Sequence, residues 1–178
     1  MDEPWSRIAI DIVGPLPVCP KSGNRFILTC MDMASHYPEA IPLQRHTAED
    51  VANALVQIFS YFGFSKEILS DQATDFVSEL IQRFTHQFCV SQLRCSTYHP
   101  ETNGSCERFH RTSKTMIRSM VNDFEGAWDE SLPWLLFAYR DIPVETLGFS
   151  PFELLFQTER HLILNEFDEK TWKNNPNF

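Results

Sequence analysis

Residues 7–14 read RIAIDIVG. Isoleucine and valine recur with the two-residue period of a strand, and Gly14-Pro15 stops the run. Asp11 sits inside this otherwise apolar stretch. A charged group there is costly unless it is paired, metal-bound or at the surface. Outward from it, RFILTCMDM (25–33) follows a Lys-Ser-Gly-Asn turn, and YPEAIPL (37–43) is a shorter run whose prolines suit a sheet edge. Three strands in such close succession predict an antiparallel meander.

A helix is predicted from Thr47, with Glu49 and Asp50 in its first turn and Gly63 at its end. Val51, Leu55, Ile58, Phe59 and Phe62 fall on one face. KEILSD (66–71) reads as a strand. SELIQRFTHQF (78–88) reads as a helix with Leu80, Ile81, Phe84 and Phe88 inward, and SQLRCS (91–96) as a fifth strand. TYHPETNG (97–104) is a loop by composition. A long helix follows from about Ser105 to Phe124. AWDESLPWLLFAYRD (127–141) is another, with Pro133 expected to kink or break it. SPFELLF (150–156) starts with Ser150 as N-cap and Pro151 at the first helical position. This order implies an α/β protein, a five-stranded mixed sheet flanked by helices, and it resembles the ribonuclease H-like fold.

The 178 residues suit one domain with a sizeable core. We expect a core domain over residues 1–160 and an extension over 161–178. No apolar run approaches the roughly 20 residues that span a bilayer, so no membrane partner is expected. The start, MDEPWSR, lacks an apolar signal segment, and the chain reads as soluble and intracellular. The five cysteines are odd in number and contain no CxxC pair, which argues against a disulfide framework. His86 with Cys89, and Cys106 with His110, are spaced to share a helical face. Neither has a second pair at zinc-finger spacing.

The net charge of −9 makes the chain as a whole a poor non-specific binder of nucleic acid. The charge is uneven, however. Residues 96–120 hold Arg108, Arg111, Lys114 and Arg118 against Glu101 and Glu107, whereas residues 121–178 hold 11 acids against 4 bases. Glu107, Arg111, Lys114 and Arg118 form one helical stripe, a carboxylate followed by three cations. Such a stripe suits a phosphate backbone, or equally a solvated face with an internal ion pair.

Asp71 closes the predicted fourth strand, and Glu107 opens the long helix. If the first and fourth strands are neighbours, Asp11 and Asp71 face each other. Two like charges at close range need a cation. Mg²⁺ is hard, oxygen-seeking, and usually takes one or two carboxylates plus phosphate oxygens. A third carboxylate admits two ions, about 3.5–4 Å apart, to clamp a displacement at phosphorus. With 24 acids in the chain, spacing alone leaves a solvated carboxylate open for each. Asp75 and Asp32 are explained by capping or turn hydrogen bonds.

The chain resembles the catalytic core of retroviral and retrotransposon integrases, most closely the gypsy-type LTR group. The resemblance rests on IAIDIVGPLP, ILSDQATDF, YHPETNGSCERFHRT and GFSPFELLF, in that order, over about residues 5–157. Between Asp71 and Glu107 lie 35 residues, the separation that defines this family's triad. The resemblance implies Asp11, Asp71 and Glu107 as catalytic residues and ligands of two Mg²⁺ (or Mn²⁺) ions. It implies DNA contacts at Arg111, Lys114 and Arg118, and at His99 and Asn103 of a catalytic loop. It implies processing of DNA 3′ ends and their joining to target DNA, a homodimer or higher oligomer, and a nuclear site of action. Helix 47–63 and the segment with Trp128 and Trp134 are the candidate dimer surfaces.

Ala73 departs from the family's usual glycine. Neither the upstream zinc module nor a basic C-terminal module is recognised. An excised core, a truncated element or a domesticated gene is therefore expected. Two other functions stay open, a domesticated DNA- or protein-binding scaffold without catalysis and a ribonuclease H-like nuclease.

Overall fold

The computed structural model describes residues 3–70, 82, 85–86, 88–94, 115 and 127–158, with only the main chain for 92–94. Five strands form one sheet, β1 (Arg7–Val13), β2 (Phe26–Asp32), β3 (Pro38–Leu43), β4 (Glu67–Ser70) and β5 (Ser91–Arg94). Their order is β3-β2-β1-β4-β5. The meander is antiparallel, with Asp11 opposite Thr29 and Thr29 opposite Ala40. β4 joins β1 in parallel, with Ile10 opposite Ser70, and β5 continues in parallel. The sheet is therefore mixed and five-stranded, and β3 with its two prolines is an edge.

The first helix, α1 (Ala48–Phe62), begins where Thr47 accepts from the Asp50 amide and ends at Gly63, whose φ is 81°. Glycine bears that left-handed conformation without steric cost. Val51, Ala54, Leu55, Ile58 and Phe59 are buried, the i, i+3, i+4 stripe of an amphipathic helix. They pack on Ile8, Ile10, Leu28, Cys30 and Ile68 of the sheet. Phe62 is partly buried beside them.

Helices α2 (Trp128–Asp141) and α3 (Pro151–Phe156) complete the described architecture. Pro133 neither breaks nor ends α2, which runs continuously through it. Proline there removes one amide donor, and the helix is held on the sheet by Trp128 and Leu132, which pack with Val13 and Ile27. Trp128 Nε1 donates to the Pro17 carbonyl at 2.8 Å. Asp129 accepts from Ser22 Oγ and from Asn24 Nδ2, tying the β1–β2 loop to the start of α2. At the other end Arg140 pairs with Glu39 at 2.5 Å, donates to the Pro38 carbonyl at 2.9 Å and lies over the Tyr37 ring. α3 opens with the expected device: Ser150 and Glu153 form a reciprocal capping box, with Pro151 in the first turn.

Phe88 departs from expectation. It lies in a turn, 38% exposed, and stacks on Phe64 at 4.5 Å instead of entering the core. Cys89 is also in that turn at φ 53°, so it does not share a helical face with His86. Among the described residues no helix is long and apolar enough to cross a membrane.

Candidate active site

Asp11 lies fifth of seven residues in β1, only 4% exposed. Strand alternation decides which way it looks. Ile8 and Ile10 join the α1 cluster. Ala9 packs with Met31 and Leu69, and Val13 packs with Ile27, Trp128 and Leu132. Asp11 shares parity with Ala9 and Val13, so it belongs to the face turned away from α1. Across β2 its partner is Thr29, 3% exposed, whose Oγ1 donates to the Asp11 main-chain carbonyl at 3.1 Å. Ala40 on β3 completes the row.

Asp32, at the end of β2, is a second buried aspartate, and its role is structural. Its carboxylate accepts from the Trp5 amide at 3.0 Å, the Ser35 amide at 3.0 Å and Ser35 Oγ at 2.6 Å. Three donors account for its burial, and it pins the N-terminal segment to the turn after β2. The turn-forming role expected for Asp32 is what the geometry shows.

The parallel β1–β4 pairing is described up to Ile10 and Ser70. Each is the residue before a candidate carboxylate, Asp11 and Asp71. Asp71, Asp75, Glu107, Arg111, Lys114, Arg118, His99, Asn103 and Ala73 lie outside the described residues, as do Cys106, His110 and residues 161–178. Among the described residues no three His, Cys, Asp or Glu side chains converge as a metal site. The donor set proposed from the sequence consists of carboxylates alone. Hard oxygen donors of that kind fit Mg²⁺ or Mn²⁺, and the buried position of Asp11 fits a group whose charge is balanced by a bound cation.

Sequence reasoning missed Thr29. The signal was present, because FILTCMD places positions 27, 29 and 31 on one face and two of the three are apolar. Only the β1–β2 register shows that 29 faces Asp11.

A model of the integrase core domain matches residues 2–100. The chain is 34% identical over 138 residues to the Gag-Pol polyprotein of avian reticuloendotheliosis virus, covering 76% of this chain. It is 27% identical over 153 residues to the retrovirus-related Pol polyprotein from transposon 412 of Drosophila melanogaster, covering 85% of this chain. It spans 12% of the length of each of those two relatives. The catalytic core domain of BIV integrase superposes with a TM-score of 0.67 at 19% identity, covering 86% of this chain and 95% of that one. The mixed sheet with its flanking helices is thus the ribonuclease H-like fold, and the chain belongs to the integrase core domain family.

Proposed function

We propose that this chain is a metal-dependent polynucleotidyl transferase core, which trims DNA 3′ ends and joins them to target DNA. The observation that supports it most is Asp11. It is a buried carboxylate on the face away from α1, in the strand whose parallel neighbour β4 ends one residue before Asp71. Consecutive Cα atoms are about 3.8 Å apart, so Asp71 is tethered within one residue of the β1–β4 ladder. Leu69 packs with Ala9, so β4 contributes to the same face of the sheet as Asp11.

Asp11, Asp71 and Glu107 would hold two Mg²⁺ or Mn²⁺ ions. Bound divalent cations supply Lewis acidity at the oxygens of a scissile phosphodiester. The chain's own task is to fix those carboxylates, orient the DNA and keep charge in place. An oxygen of water, or of a DNA 3′-hydroxyl, forms a new bond to phosphorus while the bond to the departing 3′-oxygen breaks. Water as nucleophile trims an end, and a 3′-hydroxyl joins it to target. Arg111, Lys114 and Arg118 would neutralise backbone phosphates, and His99 and Asn103 would contact the DNA end. A homodimer or larger assembly acting in the nucleus belongs to the same reading.

A disintegration assay, the reverse of joining, tests it on a branched DNA substrate with Mn²⁺ or Mg²⁺. Wild type is expected to resolve the branch. Asp11→Asn, Asp71→Asn and Glu107→Gln are each expected to fall to background while remaining folded. A variant with near-normal rate at saturating metal removes its residue from the site. Lys114→Glu is expected to weaken DNA binding and to reduce the salt slope by about one unit, and an unchanged slope would refute a phosphate contact.

A further inference from the structure

Strand β2 buries Leu28 and Cys30 against α1. It turns Ile27, Thr29 and Met31 to the other face, where Ile27 and Met31 each join an apolar cluster. Valine would fit that pattern at 29 with the same shape. A hydroxyl buried there is costly unless it is hydrogen-bonded. Its proton is committed to the Asp11 carbonyl. A hydroxyl that donates once keeps only its acceptor lone pairs. Directly opposed residues of an antiparallel pair carry Cβ atoms about 4.5–5.5 Å apart on the same face. The Thr29 hydroxyl therefore keeps acceptor capacity on the face it shares with the side chain of Asp11. Two acceptors side by side repel unless a donor lies between them. Water held by a cation on that carboxylate is such a donor, and it donates strongly.

We propose that Thr29 is a positioning residue for the cation site. It holds the main chain of Asp11 in register and accepts a hydrogen bond from water on the cation that Asp11 binds. This rests on reading Asp11 as a cation ligand.

The test follows thermal unfolding of the whole chain against rising Mn²⁺ or Mg²⁺, and reads the concentration giving half the maximal stabilisation. Loss of an outer hydrogen-bond partner typically weakens metal affinity about 10–100-fold. Thr29→Val is expected to keep a metal-free Tm near that of wild type and to raise the half-maximal concentration about tenfold. Thr29→Ser, which retains the hydroxyl, is expected to stay within about twofold of wild type. An unchanged half-maximal concentration in Thr29→Val overturns the proposal. So does a change confined to the metal-free Tm, which would make Thr29 a packing residue. If wild type does not respond to metal and Asp11→Asn behaves identically, the reading of Asp11 falls, and Thr29's role falls with it. A response in wild type that vanishes in Asp11→Asn but persists unaltered in Thr29→Val defeats the Thr29 proposal alone.

Discussion

On the α1 face of the sheet, Ile8, Ile10, Leu28 and Cys30 meet Val51, Leu55, Ile58 and Phe59 in one continuous apolar cluster. On the opposite face the described apolar side chains fall into two smaller clusters. Ala9, Met31 and Leu69 form one, and Val13, Ile27, Trp128 and Leu132 form the other. Between them runs the row Ala40, Thr29, Asp11. Both faces share the same strands, yet among the described residues the α1 face is the more uniformly apolar. Among the described residues the second face is interrupted by the row that carries Asp11, and α2 fills the far end.

That division makes unequal demands on substitution. The largest loss is expected from Leu55→Ala, which empties a fully buried position in the continuous cluster. Denaturant unfolding should show about 2–5 kcal/mol of lost stability. A loss below about 1 kcal/mol would mean that this face collapses around the gap, and the contrast would weaken. Trp128→Phe replaces the indole by a smaller ring and removes the donor to Pro17 on the other face, and about 1–3 kcal/mol is expected by the same measurement.

A smaller effect is expected at Asp129. Burial raises its carboxyl, but hydrogen bonds from Ser22, Cys19 and Asn24 outweigh that and hold it below its ordinary value of 3.8. A depressed folded-state value stabilises above the unfolded value, and the benefit fades as pH falls through the folded one. Asp129→Asn should therefore lower stability at neutral pH and converge on wild type as pH falls below about 4, which flattens the acid limb. An unaltered acid limb would show that the loop clamp carries no charge-dependent stability. The smallest change is expected from Asp11→Asn without metal. Neutralising a buried charge should leave the Tm equal to or above that of wild type. A fall comparable to that of Leu55→Ala would erase the distinction between the faces.

Much of this was legible in the sequence. The meander could be read because the three strands are short-range neighbours. The α1 stripe and the Ser150–Glu153 cap could be read because they obey local rules. Asp11 stood out because one charge interrupted an apolar period. What escaped depended on contacts between distant segments. Trp128 and Trp134 look alike in sequence, yet one is fully buried and the other 55% exposed, because α2 presents one flank to Val13 and Ile27. Phe88 reads as core, but its turn ends the run and leaves it stacked on Phe64. Thr29 reads as a filler residue until the register sets it opposite Asp11. Pro133 breaks a local rule for helices, and the tertiary contacts of α2 override it.

The β3 edge has a consequence for behaviour at high concentration. Positions 38, 40 and 42 share one parity, and two of the three are prolines without an amide hydrogen. The carbonyl of Pro38 is already occupied by Arg140. A foreign strand approaching this side would meet missing donors and an acceptor already taken. Sheet-to-sheet polymerisation, the common fate of an open edge, is blocked there by two rings and one guanidinium.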